Sequence, residues 1–270
     1  MITGLFFMPG IVKAQADSVK NEQHKPSFKL GIYYNSYLNY YGRTNNVKNS
    51  GIFPLAEFSL NKNFYINAAP VFVFNKTTRL EYAGTVATAG YRFTSTDNKV
   101  SGNFYAVKPF YKENTTLVQS ALKAQGAASL TYQNKILNFT AGGDVKFSSK
   151  TDYGANAGID HIFRHEFPGK YVLVIDPSAY VYAGTQQFNK TYYEDILGTE
   201  IFASKQKVNK FNVLSYEFSM PVIFAKGKWQ LISIPAYVLP QNVYAVPDRP
   251  DLAESGDNLF YMTTGIKVNF

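Results

Sequence analysis

The sequence contains no cysteine, three histidines and a single tryptophan. Without cysteine the fold has no disulfide bond, no thiol nucleophile and no cysteine-ligated metal site. His24, His161 and His165 are too few for a histidine-rich metal site. The 270 residues also lack any apolar run of the roughly 20 residues that a membrane-spanning helix needs. A helical membrane protein and a disulfide-stabilised fold are therefore excluded.

Aromatic residues are abundant, with 21 tyrosines and 22 phenylalanines. Aromatic side chains are favoured in β-strands and in the girdles of membrane barrels. A soluble β-sandwich is also rich in these residues, so composition alone leaves both all-β folds open. The formal net charge of +8 could indicate a nucleic-acid partner. Because the lysines are spread along the chain and many lie in turns, we predict that the protein binds no nucleic acid.

The first residues have the composition of an export signal. An apolar stretch at 2–12 precedes Ala14-Gln15-Ala16, a small-residue pattern typical of signal-peptide cleavage. Pro9 and Gly10 disfavour the alternative, a short buried helix. The predicted organisation is a signal peptide at 1–16, a flexible periplasmic lead-in at 17–27 and a single folded domain at 28–270.

The C-terminal segment alternates between two faces and ends on an aromatic residue. One face suits lipid and consists of Phe260, Met262, Thr264, Ile266, Val268 and Phe270. The other face suits water and consists of Tyr261, Thr263, Gly265, Lys267 and Asn269.

This segment resembles the closing strand of bacterial outer-membrane β-barrels, which typically ends in Phe and is recognised by the barrel-assembly machinery. The resemblance implies an outer-membrane location in a Gram-negative bacterium, contact with outer-membrane lipid, and an assembly signal formed by Ile266, Val268 and Phe270. The segments at 216–222 and 235–240 also resemble a family of outer-membrane barrels, and this second resemblance implies no particular activity.

Five tight turns, each with a lysine beside a turn-forming Asn, Asp or Gly, divide the chain at regular intervals. The lysines are Lys62, Lys99, Lys135, Lys170 and Lys228. The first four are 35 to 37 residues apart, which leaves room for two membrane strands of about 9–11 residues and one connection. The last interval is wider and contains a polar stretch at 189–209, which we predict to be a long loop.

Five tight turns on one side, with both termini, predict a closed antiparallel transmembrane β-barrel of about 12 strands. Ten or fourteen strands remain alternatives. The predicted strands are 28–42, 51–60, 63–76, 81–95, 99–112, 117–133, 136–149, 152–166, 169–188, 210–225, 228–244 and 258–270.

Alternation within these strands predicts which side chains face lipid and which face the lumen. We expect Leu137, Phe139, Leu214, Phe218 and Met220 to face outward. Among the charged residues, the alternation places Lys29, Glu57 and Arg92 in the lumen. The other lumen-lining candidates are Lys123, Asp144, Lys146, Asp160, Arg164, Asp176, Glu217 and Lys267. Charges of both signs on neighbouring strands fit either a paired network that fills the barrel or a narrow polar path for a solute.

An enzymatic role is less well supported by the residues. Outer-membrane barrels include hydrolases, but nucleophilic hydrolysis needs a base beside the nucleophile. His161 and His165 are predicted to face outward near the periplasmic turn, without the His-x-Ser arrangement of barrel phospholipases. Asp160 with Asp176 could act as a carboxylate pair, although a lumenal ion pair explains both. We therefore assign no catalytic residue.

No cofactor or metal site is predicted either. The acidic residues in the predicted loop at 245–257 match no calcium-binding spacing. The first function hypothesis is a porin-like or small-solute channel with a charged lumen. The second is an outer-membrane hydrolase that acts on lipid or peptide, and the third is a structural or partner-binding barrel whose lumen is filled by its own side chains.

Overall fold

The computed structural model describes residues 26–43, 49–74, 79–112, 122–187, 210–243 and 256–270. The predicted signal peptide and almost all of the lead-in, which contains His24, lie outside the described residues. Most of the predicted loops at 189–209 and 245–257 lies outside them as well.

The described residues form fifteen β-strands. Their bounds are β1 Ser27–Asn35, β2 Ser50–Ser59, β3 Phe64–Phe74, β4 Glu81–Thr94, β5 Val100–Tyr111, β6 Ala124–Tyr132, β7 Asn138–Phe147, β8 Thr151–Asp160, β9 Phe163–Phe167, β10 Tyr171–Ile175, β11 Ser178–Gly184, β12 Asn212–Ser219, β13 Val222–Lys226, β14 Trp229–Pro240 and β15 Leu259–Asn269. Among these residues, no helix is long and apolar enough to span a membrane.

Three pairs of these strands are interrupted halves of single long strands. β8 and β9 are separated by two residues, as are β10 and β11, and β12 and β13. The halves share neighbours, since β14 pairs with both β12 and β13, and β8 and β9 pair with β11 and β10 respectively. Counted as continuous strands, they give a barrel of twelve antiparallel strands, which confirms the predicted number.

The barrel closes between its first and last strands. β1 pairs with β15 from Lys29↔Asn269 to Asn35↔Thr263, and β1 also pairs with β2 along its whole length. Closure satisfies the backbone groups that would otherwise face hydrocarbon, where each unpaired group costs several kcal/mol, roughly.

The five lysine turns lie together at the rim where β1 begins and β15 ends. Three of the five turns contain residues with positive φ, which favours tight reversal: Asn98 at 57°, Lys170 at 65° and Gly227 at 55°. The opposite rim has the connection from β1 to β2 and the long connection from β11 to β12. Short turns are typical of the periplasmic side of outer-membrane barrels, and we refer to this rim as the periplasmic one.

The outward face is apolar on every side of the barrel. Phe139 is 51% exposed, Phe218 49% and Met220 45%, while Asp144 and Asp160 are buried. A soluble sandwich would bury these large side chains between its sheets, so that alternative is wrong.

Two details of the predicted strands are wrong. The first strand, predicted to reach residue 42, ends at Asn35, because the Asn35 side chain accepts a hydrogen bond from the N–H of Tyr37 at 2.9 Å and turns the chain. Leu214, predicted to face lipid, is only 1% exposed. It lies at a bulge, where the register with β11 shifts between Tyr182 and Ala183, so the alternation is broken there.

Candidate functional site

Residues 36–43 leave the barrel wall at the end of β1 and fold over the lumen; we call them the mouth segment. Its tip is a tight turn in which Tyr40 and Arg43 exchange backbone hydrogen bonds of 2.8 and 2.9 Å. Tyr41 and Gly42 have positive φ values of 51° and 79°, and the N–H of Gly42 donates to the side-chain oxygen of Asn39 at 3.1 Å. The turn therefore directs two adjacent tyrosines toward the lumen.

The side chains of the mouth segment are buried although they lie beyond the end of a strand. Leu38, Tyr40, Tyr41 and Arg43 are each at most 9% exposed. Leu38 belongs to the same buried apolar cluster as Tyr33 of the wall. Burial raises the pKa of both tyrosine hydroxyls, so they stay neutral at physiological pH.

Tyr41 reaches the wall opposite the strand from which its segment departs. Its ring packs against that of Tyr182 on β11, with 5.1 Å between centroids, and the ammonium of Lys146 on β7 lies 5.9 Å from its centroid. In the closed order of strands, β7 is six positions from β1 in either direction. The mouth segment therefore extends across the lumen.

Arg43 anchors the segment to the wall near β12 and β14. Its guanidinium donates to the carbonyl oxygens of Leu214 at 3.2 Å and Gln241 at 2.5 Å. Charge-assisted hydrogen bonds of this kind are stronger than neutral ones. Gly42 permits the close approach, because an added Cβ would lie only 2.9 Å from Cγ1 of Val238.

The wall beneath Tyr41 contains a buried ion pair. Lys146 and Asp144 lie two residues apart on β7, face the lumen and are hydrogen-bonded to each other. Asp152 on β8 is the register partner of Lys146. Its carboxylate accepts hydrogen bonds from the Thr185 hydroxyl at 2.5 Å and the Gln187 N–H at 2.7 Å. These contacts hold the charges in a fixed arrangement below the mouth segment.

A second group of charges lies at the periplasmic end of the lumen; we call Lys29, Glu57, Arg92 and Lys267 the basal cluster. Oε1 of Glu57 accepts from the Lys29 ammonium at 2.9 Å and from the Arg92 guanidinium at 2.7 Å. The Arg92 guanidinium also stacks on the Tyr65 ring, 4.2 Å from its centroid. Along β1 and β2, buried Tyr33 and Phe53 separate this cluster from the mouth segment.

The remaining lumen-lining candidates are distributed along other strands. Asp160 accepts a hydrogen bond of 2.6 Å from the Asn138 amide, and Glu217 accepts one of 3.3 Å from the Tyr261 hydroxyl. Asp176 is buried between β10 and β11. These three acidic side chains all lie near Tyr180 of β11.

Two candidates lie at the rims. Lys123 is exposed just before β6, at the rim with the long connections. Arg164 on β9, near the periplasmic turn, pairs with Glu166 at 2.8 Å. The mouth segment was missed because residues 28–42 read as one alternating strand. The usable signal was local, since Asn39 and Gly42 are turn formers within that stretch.

Both described histidines lie near the periplasmic turn. His161 contacts the carbonyl oxygen of Ile136 through Nδ1 and packs on the Phe163 ring. His165 packs on the Phe167 ring, with 4.3 Å between centroids. In the described part of the chain, no group of three or more His, Asp or Glu side chains is arranged to hold a metal ion.

No protein-family model and no curated protein matches the sequence. Among solved structures, the chain is similar to the KdgM porin, with a TM-score of 0.50 and 8% identity over 90% of this chain and 99% of that one. It is also similar to an outer-membrane channel from Pseudomonas putida F1, with a TM-score of 0.51 and 11% identity over 94% and 98% of the two chains. The shared fold is that of bacterial outer-membrane barrels, and with the apolar outward face it locates the protein in the outer membrane.

Proposed function

We propose that the protein is a narrow small-solute channel of the outer membrane and that the mouth segment is its gate. The barrel fold is one that porins and channels use. The observation on which the proposal depends is the contact of Tyr41 with Lys146 on the opposite strand. A single segment attached near β1 thus reaches across the lumen to the opposite wall.

The attachment of the segment suits reversible movement. Beyond its own turn it is held by non-covalent contacts, which are the Arg43 hydrogen bonds, the packing on Tyr182 and the packing of Leu38. Two backbone hydrogen bonds also hold its first half, from the Ser36 N–H to the Met262 carbonyl oxygen at 2.9 Å and from the Leu38 N–H to the Asn49 carbonyl oxygen at 2.7 Å. Withdrawal of Leu38 would uncover Tyr33 and Phe53, which belong to the same cluster. The charged groups above and below this apolar layer would then be connected, and such rings of charge set ion selectivity in channels.

The buried apolar side chains favour a second candidate function. Phe53, Val71 and Val73 are each 1% exposed although they face the lumen. A barrel filled by such side chains could serve a structural or partner-binding role without conducting. The gated channel and the structural barrel differ in one property. Removal of the mouth segment's side chains should open a path for ions through the channel but not through the structural barrel.

Planar-bilayer recordings test this difference. We expect the wild-type protein to show rare, brief openings. A variant with Leu38→Gly, Tyr40→Ser, Tyr41→Ser and Arg43→Ser should show long openings and a larger unit conductance. The matched control is Tyr132→Ser with Phe139→Ser, which removes aromatic rings from the lipid-facing side instead. Correct folding is checked by the heat-dependent shift in electrophoretic mobility that closed barrels show.

If the folded four-substitution variant opens no more often and conducts no more current than the wild type, the lumen is filled by the wall itself. That outcome would reject the channel and favour the structural barrel. A conducting variant would reject the structural barrel, because its lumen would have an open path through the apolar layer.

A further inference from the structure

We propose that the basal cluster forms a binding site for a small oxyanion of the phosphate or dicarboxylate class at the periplasmic end of the lumen. The transport role of this site rests on the proposed channel function, and it would define the solute class of that channel. Binding itself depends only on the side chains of the cluster and on their access to water.

The charges of the cluster do not balance. Lys29, Arg92 and Lys267 supply three positive charges, and Glu57 supplies the one carboxylate that faces them among the described residues. Lys29 and Arg92 both bind the same oxygen, Oε1 of Glu57. Two positive charges are therefore left without a counter-charge in this part of the structure.

Among the described residues, Lys267 is the member of the cluster that has no hydrogen-bonded partner. It is 6% exposed and faces the lumen from β15, yet its ammonium makes no hydrogen bond or ion pair with any described residue. A charge that is largely removed from water without a partner is unfavourable. An anion bound from water would remove this penalty.

A neutral donor lies beside Lys267. Gln230 is its register partner on β14, is 8% exposed and also makes no side-chain hydrogen bond within the described ranges. An amide N–H and an ammonium on adjacent strands can donate to two oxygens of one ligand. Phosphate and carboxylate groups both present oxygens in this way, which is why we assign an oxyanion rather than a halide.

The cluster is accessible to water from below. The side chains of Lys29, Glu57 and Arg92 are 14%, 16% and 19% exposed to solvent. Lys267 lies three residues before the C-terminal Phe270, at the rim of the short turns. A periplasmic anion therefore reaches the cluster without passing the mouth segment.

Isothermal titration of the folded protein in detergent tests the site. Inorganic phosphate and succinate are titrated separately at low ionic strength, with glycerol as a neutral probe. We expect one of the two anions to bind and glycerol not to bind. The substitution Lys267→Gln should lower the affinity for the anion by about ten-fold, because one close charge pair is removed. Lys228→Gln, the same substitution on the adjacent periplasmic turn, should leave affinity unchanged.

Glu57→Gln is a second variant, and it should change the anion affinity in the opposite direction. Removal of the carboxylate frees Lys29 and Arg92, so anion affinity should rise by about ten-fold. A cluster with a purely structural role would show no gain, because loss of Glu57 would only leave its partners unpaired. The opposed changes in two folded variants therefore distinguish binding from stabilisation.

The titrations and bilayer recordings separate the two proposals. Anion binding that Lys267→Gln weakens, in a protein that never conducts, would retain the site and reject the channel. Conduction by a protein that binds neither anion, or whose affinity is the same in Lys267→Gln, would retain the channel and reject the site. A higher affinity for phosphate or for succinate shows which of the two classes of anion, phosphates or dicarboxylates, the site selects.

Discussion

The rings of Phe28 and Phe270 lie 6.3 Å apart at the periplasmic rim, where the first and last strands meet. The backbone N–H of Phe270 donates to the carbonyl oxygen of Phe28 at 2.8 Å. The side chain of Phe270 is 60% exposed, at the level where aromatic girdles contact the membrane interface. The last residue therefore contributes both to closure of the barrel and to its outer surface.

Deletion of Phe270 should reduce outer-membrane insertion far more than it destabilises a folded barrel. The deletion removes the packing of the Phe270 ring on Phe28 and its interaction with the Lys228 ammonium, which lies 6.0 Å from the Phe270 centroid. Interactions of these two kinds are worth about 1 kcal/mol each. The predicted assembly signal, in contrast, would lose its terminal aromatic residue. The amount of each protein in the outer membrane of cells measures insertion. The urea midpoint of each protein after refolding in detergent measures the stability of the folded barrel.

Phe260→Ala is the matched control for this deletion, because Phe260 is 55% exposed at the other end of the same strand. We expect that variant to insert normally. Equal membrane levels of the deletion variant and the wild type would reject an assembly signal at Phe270.

The buried pair on β7 predicts strongly non-additive stability effects. Lys146→Met leaves Asp144 buried without its cation, and both side chains are at most 3% exposed. We expect destabilisation by about 3 kcal/mol, with most of it recovered in the double variant Asp144→Asn, Lys146→Met. Urea unfolding of the single and double variants in detergent gives the coupling energy. Additive losses of stability would show that the two charges do not depend on each other.

Substitutions of Arg43 should have a graded effect on the opening of the channel. Arg43→Ala removes the hydrogen bonds to the carbonyl oxygens of Leu214 and Gln241, so the mouth segment should leave the lumen more often. Arg43→Lys should have an intermediate effect, because an ammonium lacks the planar fork that contacts both oxygens. Open probability in bilayers is the measurement, and Arg79→Ala at the same rim is the control. The same open probability in all four proteins would contradict an anchoring role.

Alternation and turn chemistry predicted most of the barrel, and particular residues show why. Phe139 and Phe218 face outward as predicted, because a side-chain period of two fixes the face once a strand is regular. The five lysine turns are local features that need no knowledge of distant contacts. Leu214 was placed wrongly because a bulge depends on the partner strand, which the sequence of one strand does not reveal.

The candidate site was less predictable. The lumenal direction of Lys146 and Lys267 follows from alternation, and both are buried. That Tyr41 lies against Lys146 could not be predicted, because the two residues come from strands on opposite sides of the barrel. That Lys267 has no hydrogen-bonded partner among the described residues likewise depends on side chains from other strands, which its own strand does not reveal. Whether the lumen-lining candidates conduct a solute stays a prediction.

A disulfide should lock the mouth segment in place. The chain has no native cysteine, so Gly42→Cys with Val238→Cys introduces the only two thiols. The Cβ added at residue 42 would lie 2.9 Å from Cγ1 of Val238, which is a position that the Sγ of a cysteine at residue 238 can occupy, so the two sulfur atoms can come within bonding distance. The positive φ of 79° at residue 42 makes a cysteine there unfavourable by about 1–2 kcal/mol, which a closed barrel should tolerate.

In the oxidised double variant the openings should disappear, because the tip of the mouth segment is bound covalently to β14. Addition of dithiothreitol should restore them within the same recording. Each single-cysteine variant should be insensitive to oxidation and reduction, which separates the disulfide from the effect of either substitution. If the oxidised variant conducts like the reduced one while its disulfide is verified by mass spectrometry, the mouth segment is not the gate. Conduction must then follow a path that avoids Tyr41, and the contact across the lumen to Lys146 has a structural role only.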